Sequence, residues 1–335
     1  MPGFLRFKKS GQVFLPPLYY CCHGLRAKSR PIIINGYTSV DRRTFLKLAG
    51  SAAFAGTCLP LFSGLKTAWA LDDSHGQAYA GDHGVKDALA EAGVSARAPK
   101  LLKIRFFNRD FKDDVFLPDN EIPLLLSSLM RFKRIRNLIG HGNFCLAGFD
   151  DALSCSRSYD AIGPFPRREL DFLEKLFQRP ASDYGFMGKK TIPRLTWQVP
   201  AGKTVKIRGT GNYLYKGGSK ALYQDIRRKV GTEAVLTSGI RGVSKQFLLF
   251  LNKAAQSRGN LSMASRSLAP PGYSFHATGD FDMGEKGFGP DNFTEKFTRT
   301  RVYSQLSSLG YIQFRYGPGN HLGVRYEPWH VEVGG

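Results

Sequence analysis

Two short motifs near the C-terminus constrain the fold because their polar side chains are the parts of a single metal site. The first, SFHATGDFD, occupies residues 274–282, and the second, EPWH, occupies residues 327–330. Together they contribute two imidazoles and several carboxylates. Catalytic zinc usually takes three protein ligands and keeps a fourth position for water. The fold must therefore bring two segments that are distant in sequence to one point.

We predict one role for each of four side chains in these motifs. His276, Asp282 and His330 are the expected zinc ligands. Zinc lowers the pKa of bound water to about 7, which makes hydroxide available at neutral pH. Glu327 is then the expected general acid and base, which takes the water proton and passes it to a leaving amine. Asp280 remains an alternative carboxylate ligand.

These residues resemble the D-alanyl-D-alanine carboxypeptidase and dipeptidase family of zinc peptidases, within the LAS superfamily. That family carries Ser-x-His-x-x-Gly-x-x-x-Asp and later Glu-x-x-His, often as Glu-Pro-Trp-His. Ser274, His276 and Gly279 match the first motif, and residues 327–330 match the second in full. Upstream of the second motif, Arg315-Tyr316 also looks like the family's sequence. The resemblance covers roughly residues 205–335.

One ligand departs from the family's spacing. The family places the Asp seven residues after the His, where this chain has Met283. We interpret Asp282 as the ligand after a one-residue deletion in the turn, because the Met-Gly that follows it is similar to the Val-Gly of the family. Asp280 stays open as the alternative.

A third family element, Ser-Gly-Tyr-Arg-Ser followed by a Gln, is read here as residues 238–242 with Gln246 after them. The family's Arg binds the terminal carboxylate of the substrate or a neighbouring carbonyl. A guanidinium suits a carboxylate because it donates two parallel hydrogen bonds. The resemblance therefore implies a catalytic and substrate-binding role for Arg241, with a structural salt bridge as the alternative. It also implies substrate binding by Gln246 and Ser274, although Ser274 is equally explained as an ordinary strand residue.

The resemblance implies a zinc-dependent hydrolase of bacterial cell-wall peptides, and foremost a D-alanyl-D-alanine carboxypeptidase. Two alternatives remain. One is a murein endopeptidase of the same superfamily. The other is a non-catalytic peptidoglycan-binding protein in which the shifted aspartate has spoiled the metal site.

The expected fold class is α+β, with helices packed on a small, mainly antiparallel sheet. Residues 203–207 alternate as a strand, and residues 234–237 are predicted to be a short buried strand. The segment around His276 and residues 311–316 and 323–333 are also predicted strands, the last two as a hairpin. Helical spacing of apolar residues predicts helices over residues 219–230, 243–256 and 294–309.

Residues 101–200 are predicted to be an N-terminal part of unknown role, either a separate subdomain or an extension wrapped on the catalytic core, and residues 201–335 are predicted to be the zinc peptidase catalytic domain. Residues 101–107 are expected to be a strand, and residues 122–139 and 167–177 are expected to be helices. The extension is therefore predicted to be α/β. Nothing in it indicates a chemistry.

The N-terminus has the order of a twin-arginine export signal. Arg42-Arg43 is followed by a moderately apolar run over residues 48–65 and by a small-x-small cleavage site, Ala68-Trp69-Ala70. We assign residues 1–70 to the signal, with residues 1–36 preceding a later start codon, and residues 71–100 to a flexible linker. The expected location is periplasmic or secreted, with no stable membrane span after cleavage. No haem, iron–sulfur or flavin motif supports a redox cargo.

The charge of the chain favours anionic partners. The formal net charge is +21, and residues 71–335 retain +12 of it. Such a charge attracts polyanions, but no nucleic-acid-binding motif accompanies it. We therefore expect an anionic cell wall and peptidoglycan peptide as partners, and no nucleic acid.

Five cysteines are present, and only Cys145 and Cys155 follow the predicted cleavage site. In an oxidising compartment they could form a disulfide. Sequence spacing does not decide this, and the pairing stays open.

Overall fold

The computed structural model describes residues 98–310 and 313–334. The predicted export signal, its upstream extension and residues 71–97 of the predicted linker lie outside the described residues. Within the described ranges the chain contains nine α-helices and five short strands. None of these helices combines the length and the apolar character needed to cross a membrane.

The α-helices differ widely in length, and short 3₁₀ turns link several of them. In chain order they are α1 (Ala98–Arg105), α2 (Ile122–Ile139), α3 (His141–Leu146), α4 (Phe149–Ser158), α5 (Arg167–Gln178), α6 (Gly218–Val230), α7 (Val243–Gln256), α8 (Leu261–Ser265) and α9 (Arg301–Ser308). The helices predicted over residues 122–139 and 243–256 have the same bounds in the structure.

The strands form two small antiparallel sheets. They are β1 (Thr204–Lys206), β2 (Tyr213–Tyr215), β3 (Ala234–Ser238), β4 (Phe281–Glu285) and β5 (His330–Val331). The first sheet is the β1–β2 hairpin, and the second has the order β3-β4-β5. This arrangement of helices on small antiparallel sheets confirms the predicted α+β class.

Helix α7 lies at the centre of the larger hydrophobic cluster. The ring of Phe247 stacks on Phe132 of α2 at 5.6 Å between centroids and lies 5.8 Å from Phe149 and 6.4 Å from Phe177. Fully burying one such side chain stabilises a fold by about 1.5–3 kcal/mol. The helices of residues 122–178 therefore share one core with the helix that follows the Arg241 loop.

The smaller cluster holds the three-stranded sheet against α6 and α9. Phe281 and Met283 of β4 are both fully buried in it, together with Ile226 and Leu306 of the two helices. Successive side chains of a strand point to opposite faces. Asp282 therefore points away from this cluster, towards the side where the candidate site lies.

The predicted α/β character of the extension is wrong in the described residues. Residues 101–105 belong to α1 and not to a strand, and all regular structure from residue 98 to residue 200 is helical or 3₁₀. The segment Ala98–Arg105 is rich in Ala, Leu, Lys and Arg, which are strong helix formers. Its apolar residues are too closely grouped for spacing alone to distinguish a helix from a strand.

Two other strand predictions are also wrong. His276 lies in a 3₁₀ turn, Phe275–Ala277. The amides of Ala277 and Thr278 donate the hydrogen bonds that close this turn. In the predicted C-terminal hairpin only His330–Val331 is a strand, and Phe314 meets Val331 in a single bridge. Pro328 has no amide hydrogen to donate to a ladder, and residues 317–319 are Gly-Pro-Gly, so regular pairing does not extend. Residues 311 and 312 lie outside the described ranges.

The predicted helix over residues 294–309 is divided. A 3₁₀ turn, Glu295–Arg299, precedes α9, and the side chain of Thr300 caps α9 by accepting from the Tyr303 amide. Thr is a favoured N-cap residue because its hydroxyl satisfies a free amide of the first turn.

Cys145 and Cys155 are free thiols in the structure, so the disulfide that the sequence left open is not formed. Burial raises the pKa of the Cys145 thiol. Its sulfur lies 3.6 Å from Nε2 of His141.

Candidate metal centre

Strand pairing brings the first two predicted ligands together. Asp282 of β4 lies directly opposite His330 of β5 in the antiparallel register. Side chains at opposite positions share one face of a sheet and have Cβ atoms roughly 4.5–5.5 Å apart. Nδ1 of His330 accordingly lies 3.1 Å from Oδ1 of Asp282.

The third ligand comes from the turn before β4. Nε2 of His276 lies 3.3 Å from the same oxygen of Asp282. Nδ1 of His276 donates a hydrogen bond to the carbonyl of Gly239 at 2.8 Å, which leaves Nε2 as the unprotonated nitrogen. Gly239 is required there because a Cβ would lie 2.1 Å from the carbonyl oxygen of Tyr213.

The three ligand atoms lie within 4.8 Å of one another, and all three side chains are buried. Zinc binds nitrogen and oxygen ligands at about 2.0–2.2 Å in tetrahedral geometry, so neighbouring ligand atoms lie roughly 3.3 Å apart. The observed separations of 3.1 and 3.3 Å match that spacing.

Unpaired buried atoms provide a test of whether a metal fits. Nε2 of His276 and Oδ1 of Asp282 are buried, and neither has a hydrogen-bond partner of adequate geometry. A buried polar atom without a partner costs about 1–3 kcal/mol. A divalent cation between the two imidazoles and the carboxylate would satisfy both atoms, and this donor set suits zinc. The residues present therefore fit the expected metal.

Asp280 orients His330 and is not one of the three clustered ligands. Nε2 of His330 donates to Oδ2 of Asp280 at 3.0 Å, which turns Nδ1 towards Asp282. Asp280 also accepts from Nε of Arg315 at 2.5 Å and from the amide of Val333 at 3.0 Å. A carboxylate behind a ligating imidazole sets its tautomer and raises its basicity. The geometry thus favours Asp282 over Asp280 as the ligand.

The electrostatics of the two imidazoles differ. Burial, with the neighbouring Arg241 cation, lowers the pKa of His276 to about 4, so this ring is neutral at pH 7. Burial also opposes protonation of His330, but the Asp280 and Asp282 carboxylates outweigh it and raise its pKa to about 9. Binding of a metal at Nδ1 of His330 would therefore release a proton from this ring.

Arg241 forms the salt bridge that the sequence left as an alternative. Its Nη2 donates to Oδ2 of Asp282 at 2.5 Å, and its Nε donates to the hydroxyl of Ser238 at 3.1 Å. These bonds hold the ligand carboxylate so that Oδ1 faces the imidazoles. Within the described chain, Nη1 of Arg241 has no hydrogen bond.

Glu327 lies beside the ligand cluster. Its Oε2 is 3.9 Å from Nδ1 of His330, and its Oε1 is 3.8 Å from Nε of Arg325. Burial raises the pKa of Glu327 to about 7, although the Arg325 cation acts in the opposite direction. A carboxyl group with such a pKa can both accept and release a proton near neutral pH.

The two remaining predicted substrate residues have positioning contacts. Gln246 donates to the carbonyl of Arg241 at 2.8 Å and accepts from the amide of Gly272 at 2.8 Å, so it bridges two loops behind the site. Ser274 is buried, and its carbonyl accepts from the hydroxyl of Thr191 at 3.0 Å. Substrate binding by either residue remains a prediction.

Three residues around the site had no role in the sequence prediction. The ring of Tyr316 lies 4.8 Å from that of His330, the guanidinium of Arg315 stacks over Phe275 at 3.8 Å, and Arg325 lies over Trp329 at 4.8 Å. In the sequence, the family resemblance was the only feature that pointed to Arg315 and Tyr316. No sequence pattern indicated Arg325.

Comparison with known proteins gives one family match. Residues 218–335 match the family model described as VanY, D-alanyl-D-alanine carboxypeptidase. That segment contains every predicted site residue. No curated protein matches the sequence.

Similar solved structures include three carboxypeptidases or related enzymes. The LdcB LD-carboxypeptidase, described with its basis of peptidoglycan recognition, is 26% identical over 38% of this chain and 63% of its own, with a TM-score of 0.33. The D,D-pentapeptidase VanY in complex with Zn(II) is 25% identical over 40% of this chain and 82% of its own, with a TM-score of 0.32. VanYB in complex with D-alanine-D-alanine is 23% identical over 45% of this chain and 86% of its own, with a TM-score of 0.36. The match thus spans less than two thirds of the LdcB chain.

Proposed function

We propose, from the family match of residues 218–335, that this protein is a zinc-dependent peptidase of bacterial cell-wall peptides. Its specific reaction in this proposal is removal of the terminal residue from a D-alanyl-D-alanine end. One structural observation carries the proposal: Nε2 of His276, Oδ1 of Asp282 and Nδ1 of His330 converge, and two of these buried atoms have no hydrogen-bond partner.

His276, Asp282 and His330 would hold the metal. Zinc, when bound, supplies Lewis-acid polarisation of a carbonyl and a nucleophile at neutral pH. Glu327 accepts the proton released by the attacking water and returns it to the amine of the leaving residue. Its position 3.9 Å from a ligand atom and its pKa of about 7 both support this role.

Arg241 recognises the end of the substrate in this proposal. Asp282 and Ser238 fix two of its nitrogens, so the guanidinium is already oriented before substrate arrives. The remaining Nη1 is available to donate to a terminal carboxylate, and a charge-assisted bond of this kind is stronger than a neutral one. An enzyme that relies on this contact prefers a free C-terminus.

The deciding experiment treats purified protein with a wall pentapeptide that ends in D-alanyl-D-alanine. We expect mass spectrometry to show loss of one alanine, no reaction after a chelator, and recovery when zinc is added back. Cleavage of cross-linked dimers with no loss of alanine from the monomer would assign the protein as an endopeptidase. Binding of wall material with neither reaction, in protein that takes up no zinc, would assign a non-catalytic module with a degenerate metal site.

Export is part of the proposal and rests on the sequence of residues 41–70 alone. Secretion by the twin-arginine route would deliver the protein to its substrate outside the cytoplasm. Replacement of Arg42 and Arg43 by Lys should retain the full-length protein in the cytoplasmic fraction. Unchanged export of that variant would contradict this route.

A further inference from the structure

The β1–β2 hairpin lies within a segment of the chain that has no acidic residue. Between Asp183 and Asp225 there are eight Lys or Arg residues and no Asp or Glu. Four of these cations belong to residues 203–216, which we call the basic hairpin. They are Lys203, Lys206, Arg208 and Lys216, and all four are exposed.

The cations of the basic hairpin lack acidic partners. Lys216 donates to the carbonyl of Gly202 at 2.7 Å, which leaves its charge uncompensated. Among the described residues, none of the four pairs with a carboxylate. Cations elsewhere do pair, as in Arg131 with Glu169 at 2.9 Å and Arg266 with Asp114 at 2.8 Å.

The hairpin spaces these charges along its length, with Lys206 on one face and Lys203 and Lys216 on the other. The amide of Lys216 donates to the carbonyl of Lys203 at 2.7 Å, which places these two residues at the open end of the hairpin, while Arg208 lies in its turn. At about 3.3 Å for each residue, the backbone from Lys203 to Arg208 spans roughly 16 Å. Neighbouring cations along it are about one Debye length apart at physiological salt, so each can contact a different anionic group of one extended polymer.

The basic hairpin is hydrogen-bonded directly to two segments that carry predicted site residues, His276 and Arg241. The hydroxyl of Tyr215 donates to the carbonyl of Ala277, the residue after His276, at 2.9 Å. The carbonyl of Tyr213 accepts from the amide of Ile240, the residue before Arg241, at 2.8 Å. Lys206 lies opposite Tyr213 and therefore shares its face of the hairpin. A polymer bound to the basic hairpin at Lys206 would lie next to the site.

We propose that the basic hairpin binds a phosphate-bearing anionic polymer of the cell wall and thereby holds the protein at its peptide substrate. The polymer is inferred from the chemistry of the surface, because four exposed ammonium and guanidinium groups without acidic partners on one hairpin match a chain of repeated anionic groups. The expected increase in hydrolysis of wall-bound peptide rests on the proposed peptidase function. The binding of the polymer by the basic hairpin does not depend on that function.

The test compares two variants of the full-length protein that lose the same charge. The hairpin variant carries Lys203→Gln, Lys206→Gln, Arg208→Gln and Lys216→Gln. The control variant neutralises four exposed cations on other elements, as Lys112→Gln, Arg134→Gln, Arg168→Gln and Lys286→Gln. The probe is fluorescent long-chain inorganic polyphosphate, titrated at several salt concentrations.

We expect the hairpin variant to bind polyphosphate about tenfold or more weakly than the unmodified protein, and the control variant to bind nearly as well as it. The slope of log K against log salt should become shallower by about 1 for each lost phosphate contact, in the hairpin variant alone. Equal losses in both variants would overturn the proposal, because net charge would then explain the binding. Tighter binding of single-stranded DNA with the same number of charges would overturn the assignment of the partner.

Hydrolysis provides a separate readout. The hairpin variant should hydrolyse a soluble pentapeptide at the unmodified rate and release less alanine from intact walls. Suppose that neither the unmodified protein nor either variant hydrolyses the pentapeptide or the walls, but the hairpin variant still binds polyphosphate more weakly than the control variant. The proposed peptidase function is then wrong, and the proposed polymer binding by the basic hairpin is supported. If wall hydrolysis and polyphosphate binding are both unchanged in the hairpin variant, the proposed polymer binding by the basic hairpin is wrong and the proposed peptidase function is unaffected.

Discussion

Asp282 and His330 face each other across β4 and β5, and Nδ1 of His330 lies 3.1 Å from Oδ1 of Asp282. The other oxygen of Asp282 accepts from Arg241, and the other nitrogen of His330 donates to Asp280. Each side chain is thus fixed by a hydrogen bond at one polar atom, and its other polar atom, Oδ1 of Asp282 or Nδ1 of His330, is directed at the same point. This arrangement explains why two neighbouring acidic residues in one motif have different roles.

Removal of the Asp280 carboxylate should weaken zinc binding. In Asp280→Asn the amide no longer selects the tautomer in which Nδ1 of His330 is free, and loss of such a partner typically lowers metal affinity about 10–100-fold. Competition with a chromogenic chelator measures the change. Asp291→Asn, at a surface ion pair with Lys296, is the matched control and should bind zinc normally. Unchanged zinc affinity of Asp280→Asn would show that the tautomer is set by other contacts.

Glu327→Gln should separate metal binding from catalysis. The amide has the same size but cannot accept a proton, so we expect full zinc content and a fall in kcat of about 10²–10⁴-fold. Metal analysis and pentapeptide turnover on the same preparation test both expectations. Activity equal to that of the unmodified protein would remove Glu327 from the mechanism, and loss of zinc would indicate that it is a ligand.

Gly239→Ala should disturb the anchor of His276. The added Cβ would lie 2.1 Å from the Tyr213 carbonyl oxygen, so the loop must move together with the Gly239 carbonyl that holds Nδ1 of His276. We expect a loss of roughly 1–3 kcal/mol in the free energy of unfolding, as for overpacked sites, and weaker zinc binding. Gly202→Ala is the control, since no atom lies within 4 Å of its added Cβ. Equal melting temperatures of the two variants would contradict this steric account.

The stability of the fold should rise with pH through the titration of Lys253. Burial, with Arg325 and Arg266 nearby, lowers the pKa of this amine from 10.5 to about 8, and its ammonium donates to Asn108 at 2.9 Å. Between these two pKa values the unfolded chain binds more protons than the folded chain, so the free energy of unfolding increases with pH.

The increase attributable to Lys253 is roughly 2–3 kcal/mol between pH 8 and pH 10.5, from about 1.4 kcal/mol for each pKa unit. Urea unfolding across this range should show it in the unmodified protein and not in Lys253→Met. Other groups titrate equally in the two proteins, so their contribution cancels when the two free energies of unfolding are subtracted. If the free energies of unfolding of the two proteins differ by the same amount at every pH from 8 to 10.5, the Lys253 amine remains charged in the folded state up to its ordinary pKa.

Several helices and strands were predictable because their signals are local. The apolar spacing over Val243–Gln256 and the short apolar run that begins at Ala234 each lie within one element, and both elements are present in the structure. The segment around His276 was predicted as a strand but forms a turn. Its conformation depends on the contact with Gly239, which lies 37 residues earlier.

The sequence by itself determined which side chains are available for a metal site, because ligand chemistry is a property of residue type and the two motifs carry it. It did not determine which aspartate faces the two imidazoles, nor that Arg241 is bonded to that aspartate. Those outcomes follow from the β4–β5 register and from contacts between residues 41 and 50 positions apart. Only the tertiary structure decided them, because residues so far apart become neighbours through packing and not through any local preference of the backbone.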